Sequence, residues 1–367
     1  MAKIEEPEVV ALSHKEFLRI DRDYEKAAEV ADLVYIKPGS SGIERYRKGK
    51  GFTYIYDGKP LKGKAEIERI KKLAIPPAWT NVWICPLPNG HIQAVGNDLR
   101  LRKQYRYHPL WNALRGQTKF HKLYEFGKAL PAIRKKVEHD LAIKELSQEK
   151  ILALIVSLME RTYIRIGNSG YEKLYGSYGL TTMKDKHVAI EGSSVKFCFK
   201  GKKGIEHEVS LKNKKIARIV TACRDIPGKE LFQYFDNENN RKAIDSGMVN
   251  YYIKEAAGGK DFTAKDFRTW AGTLNILWEF KSIGEALTST EAKKNIVQAL
   301  DKVSKKLGNT RTVCRKYYVH PGLLKLYEEN SLNKYIGKLD KLEEPEDPDG
   351  LTGSEQVLLK ILKSLQE

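Results

Sequence analysis

The stretch Leu307-Gly308-Asn309-Thr310-Arg311-Thr312-Val313-Cys314-Arg315-Lys316-Tyr317-Tyr318-Val319-His320 sets the terms for the rest of the chain. Upstream of it, Ile296, Leu300, Val303 and Leu307 fall on one face of a helix beginning near Thr290. Gly308 stops that helix, and a polar loop is expected to deliver two adjacent tyrosines directly behind Arg315 and Lys316. A tyrosine that attacks a phosphodiester must keep its phenol oxygen free and meet a strongly negative target, and a cationic neighbourhood supplies that setting. Taken alone, basic residues beside tyrosines are also what an ordinary surface carries. The reading therefore depends on whether other stretches complete the same site.

The bulk properties narrow the choice. A chain of 367 residues with 41% hydrophobic side chains is long enough for two domains with real cores and too apolar to be disordered. Lys and Arg number 65 against 47 Asp and Glu, and an excess of that size favours a polyanionic partner, nucleic acid ahead of a membrane surface. Cys85, Cys198, Cys223 and Cys314 are far apart and form no CxxC pair, which argues against a zinc ribbon or disulfide framework and for a reducing compartment. The start, Met1-Ala2-Lys3-Ile4-Glu5-Glu6, lacks the apolar core of a signal peptide, and no apolar run approaches the roughly 18 residues of a membrane span. The expected location is cytoplasmic in a bacterium, or nuclear and cytoplasmic otherwise, with no membrane partner.

The fold class expected is α+β. Residues 1–108 read as a β-rich N-terminal domain. Phe52-Thr53-Tyr54-Ile55-Tyr56 is a β-prone run closed by the hairpin signal Asp57-Gly58. Ala65 to Leu73 reads as a short helix ended by Pro76-Pro77, and Val82–Cys85 and Ile92–Val95 as strands joined across Pro88-Asn89-Gly90. In the segment running from Arg100 through Arg102, Lys103, Gln104, Tyr105 and Tyr107, phosphate-reaching cations alternate with side chains able to touch base edges or sugars. A boundary is expected between 105 and 115.

Residues 109–342 read as mainly helical. Lys119 to Val137 has the look of a basic-faced helix pair, and Ile151–Met159 of a helix buried in a core and ended by Gly167. A small β insert follows, with strands over Leu180–Ile190, Val195–Lys200 and Ile205–Val209. The turn Gly201-Lys202-Lys203-Gly204 would put Lys202 at a hairpin tip. Thr263-Ala264-Lys265-Asp266 is an N-cap signal for a helix carrying Arg268. Residues 343–367 read as an acidic, Pro-rich hinge and a last helix from about Ser354.

In order, Arg165 in Arg165-Ile166-Gly167, Lys202 after Phe199-Lys200-Gly201, Arg268 in Lys265-Asp266-Phe267-Arg268-Thr269, Asn309 in Gly308-Asn309-Thr310, and Tyr318 nine residues later form a pattern. It resembles the active-site set of type IB DNA topoisomerases, in particular their small poxvirus-like bacterial branch. Arg102-Lys103-Gln104-Tyr105 is similar to the DNA-contacting strand of that family's N-terminal domain. Each motif is weak alone; five in order are a strong signal.

The resemblance implies a C-shaped clamp around duplex DNA, working as a monomer with no ATP, metal or other cofactor. The implied reaction is reversible transesterification, with the tyrosine joined to a 3′-phosphate, the 5′-hydroxyl released, and the strand swivelled and resealed. A phenol with a pKa of about 10 is mostly protonated at neutral pH, so close cations both favour the phenolate and stabilise the transition state. Arg165 and Arg268 suit the second task, because planar guanidiniums grip paired oxygens. The departing alkoxide needs a proton, and Lys202 is the matching donor, with Lys203 its rival by proximity. Asn309 stands where many relatives have His, so a hydrogen bond to a non-bridging oxygen is the role left to it. Tyr317 and Tyr318 compete as nucleophile, and the family's spacing from Asn309 selects Tyr318. Lys203, Arg315 and Lys316 join the strand residues 102–105 and 107 as expected DNA contacts. The nearest rival reading is a tyrosine recombinase or integrase, which shares this chemistry but assembles several protomers on paired sites.

Overall fold

The computed structural model describes residues 12–37, 39–49, 51–99, 101–236, 238–337, 339 and 349–366. Arg100, the side chain of Lys203 and positions 343–348 of the expected acidic hinge lie outside the described residues. The chain divides into two compact units, Met1–Lys122 and Leu123–Glu367.

The first unit opens with two short helices, α1 (His14–Ile20) and α2 (Tyr24–Val30). Ser13 and Glu16 form a capping box at the start of α1, which satisfies two backbone donors that a helix end leaves open. An antiparallel sheet follows, with β1 (Ile43–Lys48), β2 (Gly51–Tyr56), β3 (Lys59–Pro60), β4 (Thr80–Ile84), β5 (Ile92–Asn97) and β6 (Lys103–Tyr107) in the spatial order β3-β2-β1-β4-β5-β6. The Asp57-Gly58 turn joins β2 to β3 with φ of 49° and 73°, the left-handed pair that matches strand twist. Helix α3 (Lys64–Lys72) sends Ile70 into a core with Ile43, Val82, Ile84 and Ala94. A second core gathers Phe17, Ile20, Leu33, Trp111 and Leu114.

Trp111 and Leu114 belong to α4 (Pro109–Leu141), which is one 33-residue helix where the sequence suggested a pair. Pro109 opens it, where a missing N–H costs nothing, and Pro131 is carried inside it. The division between units falls within α4 at Lys122, downstream of the expected 108, because these two α4 side chains pack into the first unit's core.

In the second unit α5 (Gln148–Thr162) is buried on almost every side, as its apolar run requires. It ends at Tyr163 in the left-handed conformation, φ 58°, rather than at Gly167. After α6 (Ser169–Tyr175) the expected long strand over 180–190 is mostly two 3₁₀ turns, Leu180–Thr182 and Asp185–His187. The Leu180 and Thr181 N–H groups are taken by the carbonyls of Arg165 and Ile166, so they cannot serve a strand ladder. The β insert itself has three antiparallel strands, β7 (Val188–Glu191), β8 (Ser194–Lys200) and β9 (Glu206–Lys212), in that order.

Helix α7 (Lys214–Arg224) follows, then a two-stranded ribbon of β10 (Gln233–Phe235) and β11 (Arg241–Ala243). The remaining helices are α8 (Ser246–Ala256), α9 (Ala264–Ile283), α10 (Ser289–Lys306), α11 (Arg311–Tyr317), α12 (Pro321–Glu328), α13 (Asn333–Ile336) and α14 (Gly353–Ser364). Helix α11 replaces the polar loop expected after Gly308. The Thr310 hydroxyl caps it by accepting from Val313 N at 3.4 Å. A buried ion network braces α9 from behind. Arg134 donates to Glu160 and Glu355 at 2.7 Å each, and Glu355 also accepts from Trp270 Nε1 at 3.1 Å.

Candidate active site

Four of the five motif residues converge in the second unit, each placed by a local device. Arg165 lies in the loop after α5, and that loop is pinned by Leu180 N to Arg165 O at 2.9 Å and Thr181 N to Ile166 O at 2.6 Å. The crossing backbone comes so near that a Cβ at Gly179 would lie 2.5 Å from Arg165 O, so glycine is needed there. The Arg165 guanidinium donates to Gly308 O at 3.2 Å and to the Asn309 side-chain oxygen. Asn309 is itself fixed by its N–H to Ser304 O at 2.9 Å and its amide to Leu307 O at 3.3 Å.

Arg268 sits near the start of α9, where the Thr263–Asp266 capping box forms as the sequence suggested. It is only 5% exposed. One guanidinium nitrogen donates to Tyr163 O and another to Leu307 O at 2.6 Å, while its buried Nε has no partner among the described residues. The left-handed turn at Tyr163 is what aims that carbonyl at Arg268.

Tyr318 is the residue on which α11 ends, with the buried Cys314 and Val319 anchoring the segment. Its backbone lies directly on α9: a Cβ at Gly272 would sit 2.3 Å from Tyr318 O. Thr273 Oγ1 donates to that same oxygen at 3.3 Å and accepts from His320 N at 3.2 Å. The Tyr318 ring centroid is 5.1 Å from Arg268 Cζ. Tyr317 points away, 48% exposed with the Lys316 ammonium 5.5 Å from its ring. Of the two tyrosines, Tyr318 is the one turned to the arginines.

Burial, and after it the charge of Arg268, pulls the Arg165 guanidinium below its ordinary value, to about 10, so it stays cationic at neutral pH. Burial likewise lowers Arg268. For both, the Tyr318 oxygen works in the opposite direction through charge and hydrogen bonding. Among the described residues neither guanidinium pairs with a carboxylate; their partners are backbone carbonyls, an amide and the phenol. Two like charges held this way form a socket for an anion.

Lys202 stands apart from the four. It is exposed on the 3₁₀ turn Lys202–Gly204 between β8 and β9, with its ammonium 5.8 Å from the Tyr171 ring of α6. Arg315 and Lys316 lie exposed on α11. In the first unit β6 is an edge strand: Lys103, Tyr105 and Tyr107 share a face, with the tyrosine rings 5.8 Å apart and stacked. Gln104 falls on the other face, where its amide donates to Asp98 at 3.0 Å; Asp98 also forms an ion pair with Arg102.

Gly272, Thr273, the Tyr163 carbonyl and His207 escaped the sequence reading. Gly272 lies four residues after Arg268, on the same helical face, and that spacing was the available signal. The His207 ring lies against Gly308.

The family described as eukaryotic DNA topoisomerase I, catalytic core, matches residues 110–344. The bacterial DNA topoisomerase IB N-terminal domain matches residues 51–98. The DNA topoisomerase 1B of Acanthamoeba polyphaga mimivirus is 34% identical over 297 residues, covering 79% of this chain and 88% of that protein. The DNA topoisomerase 1B of Vaccinia virus (strain Copenhagen) is 24% identical over 252 residues, 66% of this chain and 75% of the viral one. The catalytic-core match spans well over half of the sequence and contains every residue of the anion socket, so this chain belongs to the type IB DNA topoisomerases.

Proposed function

We propose that Tyr318, Arg165, Arg268, Asn309 and Lys202 carry the strand transfer by which this type IB topoisomerase relaxes supercoiled duplex DNA. The Tyr318 phenol gives up its proton to water as its oxygen attacks the phosphorus, a new phosphotyrosine bond forms to the 3′-phosphate, and the bond to the 5′-oxygen breaks. Lys202 gives the departing oxygen its proton. The freed strand swivels, and the same steps in reverse reseal it. One ester is exchanged for another, so no bond energy is lost and no nucleotide need be hydrolysed.

The observation that carries this reading is a buried guanidinium, Arg268, beside a half-buried one, Arg165, with neither paired to a carboxylate among the described residues. Burying an unpaired cation costs on the order of several kcal/mol, and two together cost more. Folding supplies carbonyl and amide acceptors but no countercharge, and a phosphate in the socket would supply it. The Nε of Arg268 is buried with no partner among the described residues, so this guanidinium is not fully satisfied by the fold. Asn309 already holds Arg165, and its amide suits a non-bridging oxygen rather than a proton transfer. Lys103, Tyr105 and Tyr107 of the first unit and Arg315 and Lys316 of the second are the further side chains that contact DNA. The enzyme acts as a monomer at the nucleoid.

Purified protein is expected to relax positively and negatively supercoiled plasmid in excess EDTA without ATP. Strict dependence on a divalent cation or on ATP contradicts the proposal. Six to ten phosphate contacts would weaken binding by roughly 10³ to 10⁵ between about 50 and 200 mM salt.

A further inference from the structure

His207 is the second residue of β9 and stacks on Phe199 across the hairpin, ring centroids 5.0 Å apart and 8° from parallel. Its outer edge meets two glycines at once. A Cβ on Gly201 would lie 2.5 Å from its Cδ2, and a Cβ on Gly308 would lie 2.1 Å from its Cε1. Gly308 has φ 59°, so its backbone alone favours glycine. Gly201 has φ −90°, which any residue adopts, so there the ring is what leaves no room for a side chain.

Each of these glycines directly precedes a residue of the proposed mechanism. Gly201 leads into Lys202, and its turn is closed by Gly201 N to Ile205 O at 2.7 Å and Gly204 N to Gly201 O at 3.1 Å. Gly308 leads into Asn309, and its carbonyl accepts from Arg165 at 3.2 Å. The ring nitrogens make no hydrogen bond among the described residues, so the packing of the ring is its structural contribution.

We propose that His207 is a positioning residue, a flat wedge between the Gly201 and Gly308 backbones that sets the Lys202 turn against the arginine socket. This rests on the reading of Lys202 as the general acid. A proton donor displaced by about 1 Å can cost on the order of 10²-fold in rate. The effect should therefore be confined to the step that needs a proton.

The test compares single-turnover cleavage of two duplex oligonucleotides by the full chain. One has the natural 5′-oxygen at the scissile bond; the other has sulfur there, whose thiolate leaves without a proton. His207→Ala is expected to cleave the oxygen substrate on the order of 10²-fold slower and the sulfur substrate within a few-fold of the unmodified protein. Lys202→Ala should show the same split, and the double variant should be no slower than Lys202→Ala alone. His207→Gln, which keeps a planar group of similar reach, should recover at least a tenth of the lost rate on the oxygen substrate.

Four results would overturn the wedge. They are His207→Ala at full speed on oxygen, equal slowing on both substrates, multiplicative loss in the double variant, or a Gln variant as slow as Ala. If Lys202→Ala is slowed equally on both substrates, the general-acid reading fails, and this inference with it.

Discussion

The arginine socket and the Lys202 turn both carry positive charge, and the fold treats the two in opposite ways. Arg165, half-buried, and Arg268, buried, are tied to backbone carbonyls, and neither pairs with a carboxylate among the described residues. Lys202 projects from an exposed three-residue turn, its ammonium resting near one aromatic ring. The difference follows the work proposed for each. Charge that stabilises a transition state is most effective when it is fixed and desolvated before the substrate arrives. A group that delivers a proton to a departing strand end gains from reach.

The sharpest way to break this contrast is to remove the group between the arginines. Tyr318→Phe should bind duplex DNA with unchanged affinity and yield no covalent adduct, measured by denaturing gel after reaction with a labelled duplex. Tyr317→Phe should keep adduct formation within a few-fold, because Tyr317 faces solvent. A reversed result transfers the nucleophile to the neighbouring residue.

Next come the socket arginines. Arg268→Ala should slow cleavage on the order of 10²- to 10³-fold, and Arg268→Lys should not restore it, because one ammonium cannot serve Tyr163 O, Leu307 O and a phosphate together. A lysine variant at near-normal rate would mean that charge alone matters and that the fixed geometry does not. Gly272→Ala should cost about 10²-fold, since its new methyl group would displace the Tyr318 carbonyl. An unchanged rate would show that the tyrosine segment is less tightly held by α9 than the packing indicates.

The smallest expected effect is a dependence of stability on pH. Burial, then the charges of Arg165 and Arg268, hold the His207 imidazole below its usual pKa, with Glu206 pulling the other way. The folded protein therefore binds this proton less readily than the unfolded chain does. The stability it contributes is fully present above about 6.5 and is lost as pH falls below that value toward the folded pKa. Melting temperatures between about pH 7.5 and 5 should fall less steeply for His207→Gln than for the unmodified protein. A bound duplex should also blunt the fall, because a phosphate offsets the arginine charges. Identical slopes for both proteins would show that the socket's field does not reach this ring.

The motif order Arg165, Lys202, Arg268, Asn309, Tyr318 was legible only through its resemblance to a known family's active-site set, whereas the capping box before Arg268 and the glycine turn at Lys202 are local patterns that chain chemistry fixes. The Asp57-Gly58 hairpin and the buried α5 could be read for the same reason. What escaped depends on contacts between distant segments. Only its spacing from Arg268 hints at Gly272, and nothing local marks His207 as a wedge between two glycines that are far apart in sequence. Helix α11 was missed because its seven residues are too few to show a periodic apolar face. The strand expected over 180–190 failed because its first N–H groups are committed to the Arg165 loop, a pairing that single-segment patterns do not reveal.

The most direct test of the central claim is to trap the protein on a nicked or suicide duplex and digest the complex. The DNA-linked peptide is then sequenced. The account predicts a single linkage, from the Tyr318 oxygen to a 3′-phosphate, formed in EDTA. A linkage at Tyr317, at any other side chain, or to a 5′-phosphate would contradict it.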